Sequence, residues 1–182
     1  MKITARQITT TAVLLAICIV SQFFKNLSVF ITGPIINACL ILAVFAVGPV
    51  CGVILSIITP VTAFLITGAP IMKLFPAIMP LIMAGNAILA IVVWVFTRKG
   101  NTPVKRILGM VVGSAAKAAF MAATISYGLL ATVTLPPKMA PMLPKLQFTY
   151  SVVQLITALI GSFYAFIIWI PLKKAFYSTD TK

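Results

Sequence analysis

The sequence predicts an all-α integral membrane protein, with six transmembrane helices in one bundle and both termini on the cytoplasmic side. Three observations predict it. First, 62% of the 182 residues are hydrophobic, only 8% are charged, and the mean hydropathy is +1.17. Soluble domains average about 45–50% apolar and about 25% charged residues. Second, the apolar residues gather into runs near the length of about 20 residues that crosses a hydrocarbon core. Third, the basic residues stand between those runs rather than on a patch, as topology signals do.

Taken in order, the first span covers roughly residues 8–24 and ends at Lys25-Asn26. Lys2 and Arg6 before it resemble the start of a signal peptide, and Leu14 to Cys18 resembles a lipoprotein box. The bulky Ile17 ahead of Cys18, where a small residue is expected, favours a retained helix. The next apolar block, 35–65, is too long for one span, and Gly48-Pro49 divides it into spans 35–47 and 50–65. Both are short, so they should extend into their loops or lie partly inside the bundle. Thr67-Gly68-Ala69-Pro70 opens a loop holding Lys73, and a fourth span runs over 78–96 with Pro80 near its start. A polar stretch from Thr97 to Arg106 precedes the fifth span, 107–133. The Pro-rich connector from Leu135 to Lys145 leads to the sixth, 146–170. All six form a single domain over 1–182.

Charge tests this layout. Nine basic residues fall on the side of the termini: Lys2, Arg6, Arg98, Lys99, Lys105, Arg106, Lys173, Lys174 and Lys182. Four fall on the other side: Lys25, Lys73, Lys138 and Lys145. By the positive-inside rule that bias places the termini in the cytoplasm of a multi-pass protein of the cell membrane.

The same composition excludes much chemistry. The chain has no His and one acidic residue, Asp180, in a polar tail. Metal centres, carboxylate pairs and Ser-His-Asp triads need side chains that are missing, so an enzyme is not expected and no cofactor or metal is expected in the chain. Intramembrane proton relays usually run on Asp, Glu or His. Uphill transport would therefore draw its energy from a partner. The net charge of +13 does not point to nucleic acid, because its residues punctuate apolar runs. Cys18, Cys39 and Cys51 have no CxxC spacing and read as packing residues.

Lys117 is the sharpest functional signal. It lies about 15 Å along a helix starting near Ile107, close to mid-bilayer, where an ammonium costs about 2.5–3.5 kcal/mol on insertion scales. With no carboxylate in the spans, a bound anion, carbonyl groups or water must stabilise it, unless it snorkels to the cytoplasmic surface. Asn37 and Asn86 either join helices or line a cavity. Tyr127, Tyr150 and Gln154 flank the outer connector and can share an outer pocket, with belt anchoring as the competing role for the tyrosines. Trp94 and Trp169 read as belt residues. Residues 65–80 carry three prolines and residues 135–144 carry four, which makes ordered lids the expectation for both outer loops. Small residues recur at four-residue spacing in Ala12-Val-Leu-Leu-Ala16 and in Ala115, Ala119 and Ala123, permitting close helix approach.

These features together resemble the S component, the substrate-binding subunit, of energy-coupling factor (ECF) transporters. The segments that carry the resemblance are Ala12-xxx-Ala16, Gly33-Pro34-Ile35-Ile36-Asn37, Thr59-Pro60, Gly113 to Phe120 (GSAAKAAF) and Gln154 to Gly161 (QLITALIG). The resemblance implies that Ala12 and Ala16 dock on a transmembrane T component coupled to two ABC-type ATPases, which use ATP on the subunit's behalf. It also implies a small-molecule vitamin-like substrate bound near the outer face, with Asn86, Lys117, Tyr127, Tyr150 and Gln154 as pocket candidates, to which Asn37 and Lys73 are added from their polarity. Without intramembrane acid a cationic ligand would lack a counter-ion, so a neutral or anionic ligand suits Lys117 and Lys73. Pantothenate, a B6 vitamer, nicotinate or another small acid fits that logic. Two rival readings are a stand-alone small transporter or channel and a membrane scaffold without transport.

Overall fold

The computed structural model describes residues 4–24, 28–100, 102–137 and 139–178, the last four without side-chain detail. Lys2, Lys25, Lys138, Asp180 and Lys182 of the charge count lie outside the described residues. Six helical stretches are long and apolar enough to cross a membrane, and no strand occurs among the described residues.

The first helix, α1 (Ala5–Gln22), starts at a capping box in which Thr4 and Gln7 exchange hydrogen bonds. Helix α2 (Val29–Ala46) is capped by Ser28 and begins well before the expected residue 35, taking Pro34 into its interior. The proline removes the bond that an N–H at 34 would make to the Phe30 carbonyl, a loss near the helix start that packing of α2 against its neighbours offsets. Indeed α2 is the hub of the bundle, packing on α1, on α3 (Pro49–Thr67), on α5 (Ile78–Thr97) and on α9 (Val152–Ser178). Gly48, at φ 121°, makes the sharp corner between α2 and α3, and Pro49 sits in the first turn where its missing N–H costs nothing.

The short α4 (Pro70–Leu74) occupies the proline-rich loop after α3. Helix α6 (Pro103–Met121) pairs with α5 and continues as a π-helical stretch, Ala122–Leu129, and one further turn, α7 (Leu130–Thr132). After a 3₁₀ turn at Ala140–Met142 comes α8 (Leu143–Tyr150), which Ser151 (φ −118°, ψ −90°) separates from α9. The sixth span is therefore a broken helix.

Two apolar clusters hold the bundle. One, toward the end that carries the termini, includes Leu40, Ile41, Leu55, Leu89, Val93 and Trp169. Trp169 is 1% exposed and its ring lies 5.4 Å from that of Phe45, so it is a core residue, not a belt residue. The other cluster lies at the distal end and joins α4 to the π stretch through Ile71, Ile78, Met121, Ile125 and Leu130. Cys18 and Cys39 are buried free thiols in the first cluster, consistent with a packing role.

Candidate functional site

Helices α2 and α9 cross unusually closely. A Cβ on Gly161 would stand 2.6 Å from the Pro34 carbonyl oxygen and 2.7 Å from Asn37 Cβ, and one on Gly33 would stand 2.9 Å from Thr157. Two glycines thus bring the α2 backbone onto α9, and this approach fixes the position of Asn37 inside the bundle.

Facing it from α6 is Lys117, 3% exposed. Its Nζ donates to Asn37 Oδ1 at 2.6 Å and to Asn86 Oδ1, from α5, at 2.7 Å. Three helices therefore converge on one ammonium. An ammonium has three donors and no acceptor, so the amides must turn their oxygens toward it. Among the described residues no acceptor is found for the third N–H. Lys117 does not snorkel; it is held in the bundle by two neutral carbonyl dipoles, with no carboxylate among the described residues.

A cavity of about 140 Å³ opens beside this cluster. Asn37, Asn86 and Lys117 form its deep wall, while Thr149, Tyr150 and Gln154 from the α8–α9 break line it nearer the distal end. Gln154 Nε2 donates to the Thr149 carbonyl at 3.2 Å, tying the first turn of α9 back across the break. Its remaining walls are largely apolar, among them Ile36, Pro60, Ile82 and Met121. Five of the seven sequence candidates for the substrate site (Lys117, Asn37, Asn86, Tyr150, Gln154) thus share one cavity. Tyr127 does not join them: the π stretch buries Ile125 and Ser126 and turns Tyr127 outward, 69% exposed. Lys73 is exposed on α4 and lies outside the cavity wall, which its neighbour Met72 reaches instead.

A family model for the ECF transporter substrate-specific component matches residues 6–173. The chain belongs to that family. No curated protein and no solved structure matches the chain significantly. As an ECF substrate-specific component it is a multi-pass membrane subunit for transport, working with a T component and ATPases on a small-molecule substrate.

In this substrate-specific component, residues 12 and 16 lie on an exposed stripe of α1 with Ile8 and Val20. Among the described residues these side chains stay exposed. Sequence reasoning did not single out Thr32, Thr59, Thr157, Met72 or Met121 as cavity residues. For the threonines no signal was available, since Thr is ordinary in a membrane helix that can bond its own backbone, as Thr59 and Thr157 do. Pro60 was a usable signal: it removes a helical N–H beside the cavity.

Proposed function

We propose that this protein is the high-affinity substrate-binding subunit of an ATP-driven ECF importer for a water-soluble vitamin or related micronutrient, neutral or anionic. The cavity between α2, α5, α6 and the α8–α9 break is the substrate site. One observation carries the reading: a buried lysine beside that cavity, held among the described residues by two amide oxygens. A mid-membrane ammonium is costly, and helix packing alone does not need one. A ligand that uses its charge supplies the reason for it. Two like unit charges about 4 Å apart repel by about 4 kcal/mol at an effective dielectric of 20, so a cationic substrate is disfavoured by that order and an anion is favoured.

Both termini face the cytoplasm in this reading, supported by the excess of basic residues on their side. The distal end, with α4 and the broken sixth span, then faces outward and admits the substrate. The exposed Ile8–Ala12–Ala16–Val20 stripe of α1 is the surface for the T component, because small residues at four-residue spacing allow a partner helix close approach. Two ABC-type ATPases supply the driving force, and the chain itself performs no catalysis.

Native mass spectrometry of the protein in mild detergent is the direct test, with a retained vitamin-sized molecule as the expected result. Lys117→Ala should then lower affinity for that molecule by about 10- to 100-fold, the worth of a hydrogen bond to a charged group. Unchanged affinity would remove the cavity from the reading. Replacing Ala12 and Ala16 together by Leu should abolish co-purification of the ATPase module while leaving ligand binding intact. Full recovery of the module would remove α1 from the docking surface.

A further inference from the structure

We infer that the substrate is a compact monocarboxylate, with a body about the size of one ring and a hydrogen-bonding group at the end opposite the acid. This rests on the substrate-binding reading above and narrows it to one ligand chemistry.

Charge stoichiometry comes first. Among the residues lining the cavity, Lys117 is the single ionisable group that is cationic, and none is acidic. One positive charge in a low-dielectric wall is matched by one negative charge. A phosphate monoester would bring close to two and leave the cavity with an uncompensated anion, while a neutral ligand would leave the ammonium as it is. The donor arrangement agrees. Asn37 and Asn86 occupy two of the ammonium donors, and the third has no protein acceptor among the described residues. A carboxylate oxygen accepts that third N–H in a charge-assisted bond, stronger than either amide contact.

Size comes next. The cavity measures about 140 Å³. A cavity of about 150 Å³ with an apolar lining holds one benzene ring, so the body of the ligand is of that order. Ile36, Pro60, Ile82 and Met121 supply the apolar contact such a body needs.

Polarity at the far end completes the pattern. Asn37 packs beside Gly161, and Gln154 lies seven residues distal of Gly161 on the same chain. At the helical rise that is about 10 Å, the length of a ring carrying an acid group plus a hydrogen bond at each end. Gln154, Tyr150 and Thr149 thus meet a polar edge of the ligand, not more hydrocarbon.

The test uses the full chain in detergent and four groups of ring-sized probes: monocarboxylates such as nicotinate, their neutral amides such as nicotinamide, phosphate monoesters such as pyridoxal phosphate, and cations such as thiamine. Binding is read by calorimetry on wild type and on Lys117→Met, which keeps the length of the side chain and removes its charge. The expected result is that a monocarboxylate binds wild type about 10- to 100-fold more tightly than its own amide, and that Lys117→Met reduces that preference to within a few-fold. Should the variant fail to fold, the acid-to-amide ratio on wild type decides alone. Tightest binding by an amide or a phosphate would overturn the monocarboxylate assignment and leave the binding-subunit reading standing, whereas tightest binding by a cation would overturn the neutral-or-anionic part of that reading as well. An acid preference that survives Lys117→Met would also overturn the monocarboxylate assignment and leave the binding-subunit reading standing. If folded wild type binds no probe of any group, and retains no small molecule on purification, both readings fall.

Discussion

The half of the bundle near the termini and the half away from them are built from the same helices, yet they are packed to different ends. Near the termini the helices run without a break, α9 even past Pro171, and close on Leu40, Ile41, Leu55, Leu89, Val93 and Trp169, with Phe45 against the Trp169 ring. Away from the termini the helices are interrupted: a proline inside α3, a π-helical run after α6, a break at Ser151 and the separate short helix α4. That is also where the cavity lies. Irregular backbone at membrane depth is tolerated where it is buried in protein or lines a cavity, and freed carbonyls find local partners. Beside Pro60, Gln22 Nε2 donates to the Thr59 carbonyl at 3.0 Å and ties α1 to α3 there. Packing density therefore serves stability at one end, and interrupted helices make room for chemistry at the other.

Four substitutions sharpen or break that contrast, beginning with the largest effect. Trp169→Ala should cost about 3–5 kcal/mol of stability, as large-to-small core changes do, with ligand affinity unchanged once the protein is folded. Thermal unfolding in detergent paired with a binding isotherm checks it, and a selective loss of binding would show that the two halves are not separable. Asn86→Asp should do the reverse. It gives Lys117 a carboxylate 2.7 Å away where an amide oxygen now stands, so anion affinity should fall by about 10- to 100-fold while the melting temperature holds or rises. Affinity kept at the wild-type level would mean that Lys117 charge is not what the ligand meets.

A smaller effect is expected at Gln147. Ser126 Oγ donates to the Gln147 carbonyl at 2.9 Å, and Gln147 Nε2 donates back to the Ser126 carbonyl at 3.1 Å, so the π stretch and α8 are clasped reciprocally. Gln147→Ala removes the second bond, worth about 0.5–1.5 kcal/mol, and should speed amide hydrogen exchange over 143–150 without altering exchange in α2. Equal acceleration in both would place the clasp in the global fold rather than in the local segment. The smallest effect is predicted for Tyr127→Ala: with its ring 69% exposed and off the cavity wall, ligand affinity should stay within a factor of about two. A large loss there would move the site outward, toward the surface of the π stretch.

Much of this is legible in the sequence alone. Lys117 announced itself because a lone cation inside an apolar run is costly wherever the helix turns. Asn37 and Asn86 did so for the same reason, but their joint role did not. They stand 80 and 31 residues from Lys117, and only the crossing of α2, α5 and α6 makes them one cluster. Trp169 illustrates the converse. Its place near a helix end suggested a membrane belt, whereas the rotation of α9 turns it into the core.

By itself, the sequence determined that the chain is a membrane protein with six apolar spans, that no carboxylate or histidine chemistry operates within them, and that a lysine must be accommodated at depth. Those conclusions follow from transfer free energies and side-chain inventories, which act residue by residue. The tertiary structure alone decided which faces meet: that two glycines draw α2 onto α9, that two amide oxygens take the ammonium, and that a π stretch turns Tyr127 away from the cavity. An i→i+5 turn holds about one residue more than an α turn, so a single such stretch changes the face of every side chain within it. Helix rotation is set by packing between segments distant in sequence, and a hydrophobic pattern that is apolar nearly all round, as in α2, carries no mark of it.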